Sequence, residues 1–477
     1  MIDSKPPNIV FVLSDEHAAS ASGCYGHPVV QTPNLDRLAG RGSLFENAYC
    51  SSPMCVPSRL SMLSGRYVHE IGAWDNGVIP GPEFRTWGHH VRGAGYESVL
   101  AGRTHFNGSD RVLGFDRRLT DDLDFWITHH GRPPRRVPEW RRGSNSHVTE
   151  AGAGDHVHTR HDVAATDAAV DFLRDRADRP DDAPFLLHVG YMHPHFPLVA
   201  PSEFLALYDP AETELPPTRN ENAASQHPVV EQIRHAFHND EPLSEEQERY
   251  ATACYRALVS HLDHQVGRLL EAIDRSSLRD NTVVIYTSDH GEMAGHHGIW
   301  QKQVFYEPSV KVPLIVRTPD QLHGNAPTGP VSADVSLVDL LPTLRALAGL
   351  PPDDTLPGRS LPTPGSAGPG DTTPGRPVLA EYHAQGMIDA GFMLKHGRYK
   401  YCYYVGHPPQ LFDVVADPLE LTDLAGDPTF AGVLAGMDAD LRRIVDPEAA
   451  DRQAKADQDL RSRASSRSPA CSRGRGP

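Results

Sequence analysis

The sequence has no long hydrophobic run. Its most apolar stretches, such as Ile9 to Leu13, fall far short of the roughly 18 residues that a membrane-spanning helix needs. No membrane partner is therefore expected. The opening stretch, Met1 to Pro7, is short and polar and lacks the apolar segment of a signal peptide. Cysteine is scarce and irregularly placed, at positions 24, 50, 55, 254, 402 and 471. That argues against a disulfide scaffold and for a reducing compartment, so a cytoplasmic location is expected. Excess positive charge is also missing. The 477 residues carry a formal net charge of −17, which sets aside a general nucleic-acid surface. There is no internal repeat. An acidic chain that handles an anion must concentrate positive charge locally. Arg59, Arg103, Lys302, some of the 27 histidines and a metal ion are the candidates.

What is present is a series of apolar, β-branched runs. Ile9 to Leu13, Phe185 to Gly190 and Thr282 to Thr287 read as buried parallel strands. Each is followed by ionisable residues: Asp15, then His193 and His195, then Asp289 and His290. In open α/β sheets ligands bind beyond the carboxyl ends of the strands, so one composite site is the simplest reading. Ser244 to Gln247 is a capping-box helix start, and apolar residues recur near a helical period from Tyr250 to Ile273. Asp162 to Arg176 reads as a second helix. His261, on an apolar face, is expected to be a core histidine. This alternation predicts an α/β fold with a mainly parallel sheet flanked by helices. The main domain is expected over residues 1–376. Residues 351–376, rich in Pro and Gly, read as a linker or long loop. A small antiparallel-sheet module is expected over 377–446, including a strand from Tyr399 to Val405 and a final helix near 429–445. Residues 447–477 have the composition of a disordered tail. Residues 134–160 read as a polar loop near the site.

Cys55-Val56-Pro57-Ser58-Arg59 is the most specific stretch. Pro57 suits the first turn of a helix, and Gly65 can end it. Cys55 then stands at a helix N-terminus, where free N–H groups and the dipole favour an anion. Arg59 lies one turn on and can face back toward it. With Leu63 to Arg66 behind it, this run closely resembles the sulfatase signature. Asn8 to Asp15 resembles that family's first strand and metal aspartate. Gly23 to Gly26, Thr32 to Leu38, Thr287 to Glu292, Gly397 to Tyr401 and Gln410 to Asp413 resemble further family motifs in order. The likeness spans roughly residues 7 to 445.

The resemblance implies an alkaline-phosphatase-like fold with a small C-terminal α+β module. It implies hydrolysis of a sulfate monoester by a formylglycine made from Cys55, which requires a formylglycine-generating enzyme as a maturation partner. It implies one divalent cation, Ca²⁺ first with Mn²⁺ or Mg²⁺ as alternatives, held by Asp15, Cys55, Asp289 and His290. Two carboxylates suit a hard cation, and an imidazole widens the choice. Arg59 would hold the formylglycine oxygen. His105 would handle the proton of the hydrated aldehyde, and His195 would stand near the leaving group. Lys302 would clamp sulfuryl oxygens and supply a proton. Arg103 stands where the family usually has lysine, and Glu16 has no assigned role.

Ala101 to Gly108, followed by Gly114-Phe115 and Arg118 to Asp121, together with Asp75-Asn76 and Glu381 to Gly386, are most similar to choline sulfatases. Trp74 and Trp126 could wall a quaternary ammonium, and Glu381 could pair with it. Gln385 departs from the glutamate usual there. The expected substrate is a small sulfate ester whose alcohol carries a cation or an aromatic ring. Phosphonate or phosphodiester hydrolysis on the same site, and an inactive anion-binding homologue, are the alternatives. Association into a homo-oligomer is left open.

Overall fold

The computed structural model describes residues 6–123, 140–142, 144–219, 226–363 and 376–467. The three apolar runs form the centre of an eight-stranded sheet. Its strands are β1 (Asn8–Asp15), β2 (Ser43–Tyr49), β3 (Glu97–Gly102), β4 (Arg117–Arg118), β6 (Phe185–Pro194), β8 (Thr282–Ser288), β9 (Leu314–Arg317) and β10 (Gly329–Ser336). The order is β10-β2-β9-β8-β1-β6-β3-β4. All neighbours are parallel except β9, which runs against β2 and β8. β1, β6 and β8 are buried along almost their whole length, which explains why they read as continuous apolar runs rather than alternating ones. A two-stranded ribbon, β5 (Gly152–Ala153) with β7 (Val199–Ala200), lies apart from this sheet.

Helices cover both faces. The long helix Glu245–Asp274 starts at the expected capping box of Ser244 and Gln247. The helix expected from Asp162 begins earlier, at Val157, because the His156 side chain caps it by accepting from His158 N–H. Of the polar stretch 134–160, residues 134–139 and 143 lie outside the described residues, and the rest is not all loop: it includes a short helix Ser146–Thr149, β5 and the start of this helix. His261 is buried in the core side of the long helix, as expected.

The C-terminal module is an antiparallel sheet of β11 (Val378–Tyr382), β12 (Gly391–His396), β13 (Tyr399–Tyr404) and β14 (Gln410–Asp413), with the helix Ala431–Ile444 packed on it. The expectation of a disordered tail from residue 447 is corrected by the helix Pro447–Arg467. Its composition is polar because polar bonds hold it. Asp451 accepts from Ala390 N–H, Asp457 from the Trp74 indole N–H, and Gln458 donates to Asp75 and to the His383 carbonyl. Two small apolar contacts supplement them: Ala454 is buried against Val68 and Trp74, and Ala450 joins the apolar core of the C-terminal module. Among the described residues no helix is long and apolar enough to cross a membrane. Cys24, Cys50, Cys55, Cys254 and Cys402 are all free thiols.

Candidate active site

The site lies at the carboxyl edge of β3, β6, β1 and β8, which are adjacent in the sheet. Asp15 ends β1, and Asp289 and His290 follow β8. Pro194 ends β6 just before His195, and Arg103 to His105 follow β3. The helix Cys55–Ser64 brings the cysteine to the same edge. All ten of its residues are buried, so its position is fixed on every side. Its free N-terminal N–H groups need partners. Asn76 Oδ1 accepts from Val56 N–H at 2.9 Å. Gly65 ends the helix in the left-handed conformation, with φ 63°.

Four ligand atoms converge here. Asp15, Cys55, Asp289 and His290 each offer one, all within 4.8 Å of one another. His290 Nε2 lies 3.2 Å from Cys55 Sγ, and Sγ lies 3.7 Å from Asp15 Oδ1. The other ring nitrogen, Nδ1, is 3.0 Å from the Gly291 carbonyl and donates to it. That bond places the imidazole hydrogen on Nδ1 and leaves the Nε2 lone pair facing the cluster, the usual arrangement of a metal-binding histidine. The donor set therefore fits one divalent cation.

Three buried cations stand around this centre. Arg59 Nε donates to Asp289 at 2.7 Å, and its Nη2 donates to Asp15 at 3.1 Å. Arg103 Nε reaches Asp15 at 3.4 Å, and its Nη2 donates to His105 Nδ1 at 2.7 Å. Lys302 Nζ donates to Glu16 at 2.8 Å. Burial works against a charged Asp15, but His195, Arg59, Arg103 and His290 outweigh it and hold the carboxyl well below its usual range. Burial likewise opposes the charge on Lys302, while Cys55, Glu16 and Asp15 outweigh it and raise its pKa. Cys55 itself is pushed up to about 12, by burial first and then by Asp15. A thiol held that far from ionisation is a poor nucleophile as it stands.

Glu16 and His195 form the remaining edge. Glu16 is not one of the four converging ligands; it holds Lys302 and lies 3.4 Å from His195 Nε2. His195 Nδ1 donates to the Phe196 carbonyl. Non-glycine residues with positive φ gather here, at Glu16 (71°), His105 (60°), Gln301 (75°) and Gln303 (79°). Such strain persists only where surrounding bonds over-determine it, as is common at functional sites. Gly102, at φ 74°, lets the chain turn out of β3, and a side chain there would strike the Gly190 carbonyl.

All the expected catalytic and metal residues are thus brought together. Three further residues were not singled out from the sequence. Asn76 caps the Cys55 helix. Glu292 accepts from Gln301 N–H at 2.6 Å and so positions the Lys302 loop. Asp122 accepts from Thr104 and His105 N–H at 2.8 and 2.6 Å, and lies 3.6 Å from Arg103. Burial opposes its charge, but Arg103, Arg118 and the two N–H groups bring its pKa down to about 2. Asn76 and Glu292 stood inside noticed motifs, Asp75-Asn76 and Thr287 to Glu292, without these roles being assigned; Asp122 lies one residue beyond the noticed run Arg118 to Asp121.

The residues expected to hold an ammonium are otherwise engaged. The Trp74 indole is buried and bonded to Asp457 at 2.8 Å. Glu381 is bonded to His69 at 2.8 Å and to His383 at 3.1 Å. The bond from Tyr382 Oη at this turn goes to the backbone carbonyl of Gln385, not to its side chain. Trp126 lies outside the described residues.

Two carboxylates, an imidazole and three buried cations around a helix-end cysteine define a hydrolase of anionic esters, built on an alkaline-phosphatase-like sheet. The chain belongs to the sulfatase family, whose members are sulfuric ester hydrolases. Residues 7–350 match the sulfatase family model, and residues 295–446 match the model for the C-terminal part of N-sulphoglucosamine sulphohydrolase. A choline-sulfatase of Rhizobium meliloti (strain 1021) is 34% identical over 434 residues, covering 88% of this chain and 83% of that protein. Arylsulfatase K of Gallus gallus is 31% identical over 474 residues, covering 93% and 83%. The crystal structure of a phosphonate monoester hydrolase of Agrobacterium radiobacter superposes with a TM-score of 0.73 at 25% identity, covering 92% of this chain and 95% of that one.

Proposed function

We propose that the chain hydrolyses a small sulfate monoester to an alcohol and inorganic sulfate, using a formylglycine made from Cys55 and one divalent cation. The observation that carries this reading is the position of Cys55: first residue of a buried helix, 3.2 Å from His290 and within a four-ligand cluster. When present, the hydrated aldehyde supplies a nucleophilic oxygen and the cation supplies positive charge for the sulfuryl oxygens. Asp15, Asp289 and His290 would hold that cation, with Ca²⁺ favoured by the two hard carboxylates. Arg59 is fixed by both aspartates and orients the group at position 55. Arg103 carries a second fixed charge and orients His105 through Nδ1, and His105 manages the proton on the nucleophile side. On the opposite side Lys302, kept protonated by its neighbours, donates to the oxygen that leaves, and His195 lines that oxygen's path. Maturation requires a formylglycine-generating enzyme. Five unpaired thiols suit a reducing compartment, so we place the protein in the cytoplasm.

A second reading, phosphonate monoester hydrolysis at the same centre, draws on the likeness to the Agrobacterium enzyme. One experiment addresses both. The protein is co-expressed with a formylglycine-generating enzyme, the Cys55 peptide is weighed, and rates are measured on a sulfate ester and a phosphonate ester of one phenol. Conversion of Cys55 with faster sulfate release is the expected result. Unmodified Cys55 with full activity would end the formylglycine reading, and a faster phosphonate would favour the second.

A further inference from the structure

Phe196, next to His195, is ringed by positive and polar groups. Its ring lies 4.0 Å from the His195 ring, centroid to centroid. Lys302 Nζ is 5.0 Å from the Phe196 centroid, and the guanidinium carbon of Arg142 is 4.6 Å from it. The three catalytic cations Arg59, Arg103 and Lys302 each have a carboxylate partner. Arg142 has no carboxylate within ion-pair reach among the described residues, and its guanidinium makes no hydrogen bond there; it lies over the Phe196 face, and the charge of Glu16 reaches it only from beyond ion-pair distance. Its backbone is nevertheless pinned, with its N–H donating to the Ala236 carbonyl at 2.9 Å and its carbonyl accepting from His238. A partly buried arginine held in place with no carboxylate in ion-pair reach among the described residues is a prepared anion site, since its planar fork matches a carboxylate or sulfate. A second observation points the same way. His147 is buried, its ring centroid is 5.9 Å from that of Phe196, and neither ring nitrogen has a hydrogen-bond partner. Burial, then Arg142, lowers its pKa to about 3, so it stands neutral with one N–H to donate.

We propose that Arg142, seated on Phe196, recognises the alcohol half of the substrate, and that this half carries an oxyanion such as a carboxylate. The proposal rests on the sulfate-ester reading for which end of the site is the leaving-group end. It replaces the expected cationic alcohol, whose recognition residues Trp74 and Glu381 are occupied.

The test uses the full chain, matured as above. Sulfate esters of meta-hydroxybenzoate and meta-hydroxybenzamide differ in one charge. The wild type should favour the carboxylate ester in kcat/KM by about tenfold or more, mainly through KM, the size of one charge-assisted hydrogen bond. Arg142→Met keeps the stem over the ring and should bring the ratio near one; Arg142→Lys should restore part of it. Calorimetry of the two free phenols with wild type and Arg142→Met gives a second readout that needs no turnover. If neither ester is cleaved yet the hydroxybenzoate binds through Arg142, the sulfatase reading fails and the anion site stands. Equal kcat/KM for the two esters, or equal binding or no binding of the two phenols, overturns the anion site.

Discussion

Gln458 Nε2 donates to Asp75 Oδ2 at 2.9 Å, joining the last described helix to the segment that caps the Cys55 helix. The same amide donates to the His383 carbonyl at 2.8 Å, and Arg461 also bonds Asp75. The next residue after Asp75 is Asn76, whose side chain meets Val56 N–H. A helix distant in sequence is therefore linked through two hydrogen bonds to the turn that holds Cys55. Gln458→Ala leaves a buried carbonyl and a carboxylate short of donors, at a cost of about 1–3 kcal/mol. Urea unfolding should register that loss, and kcat should fall more than KM rises. Gln458→Glu should not rescue it, because it places a second carboxylate against Asp75.

Cation binding should be visible without turnover. An ion that binds only the folded state raises the melting temperature with its concentration. Ca²⁺, Mn²⁺ or Mg²⁺ added to chelator-treated protein should therefore raise it, and Asp289→Asn should remove the response. The same substitution frees Arg59 from its 2.7 Å partner, so activity should fall by at least about a hundredfold, as for loss of a key electrostatic group. An unchanged melting shift in Asp289→Asn would count against Asp289 as a ligand.

Glu381 gives a pH prediction away from the metal cluster. Burial opposes its charge, but His69 and His383 outweigh it and lower its pKa from 4.5 to about 2. A depressed carboxyl contributes stability that is present above its ordinary pKa and is lost as pH falls toward the folded value. The contribution is about 3 kcal/mol at neutral pH. Its partner His69 has a raised pKa, burial notwithstanding, because of Glu381, so its share is complete below pH 6.5 and declines as pH rises past the folded value. Unfolding of wild type and Glu381→Gln should differ most near pH 5 to 6 and converge toward pH 2 to 3. A gap that stays flat across that range would show that Glu381 is not the charged centre of this trio.

The sheet was legible because its strands are buried on both faces and so read as unbroken apolar runs. The site was legible where chemistry is written in adjacent residues: Cys55 with Arg59, Asp289 with His290, Arg103 with His105. Supports that reach across the chain were not. Asp122 lies 17 residues from His105, and although it follows the noticed run Arg118 to Asp121, that run says nothing of an acceptor for the His105 turn. The Pro447–Arg467 helix was hidden for a different reason. Composition registers apolar surface, and this helix is held by side-chain hydrogen bonds to specific partners.

Asp122 offers the sharpest test of such a support. His105 sits at φ 60°, a conformation costly for any residue with a Cβ. Two N–H bonds to Asp122 hold the turn there, and the same carboxylate faces Arg103, which in turn donates to His105 Nδ1. Asp122→Ala removes both restraints. The turn should relax, Arg103 should shift toward Asp15, and kcat should fall by about ten- to a hundredfold, as expected when a positioning group is lost. Asp122→Asn keeps one carbonyl oxygen for the N–H groups but loses the charge facing Arg103. It should recover most of the folding stability and only part of kcat. If Ala and Asn behave alike in kcat, the Asp122 charge facing Arg103 matters and the N–H bonds do not; if Asn matches wild type, the reverse holds. Wild-type kcat in Asp122→Ala would show that His105 finds its place without this support.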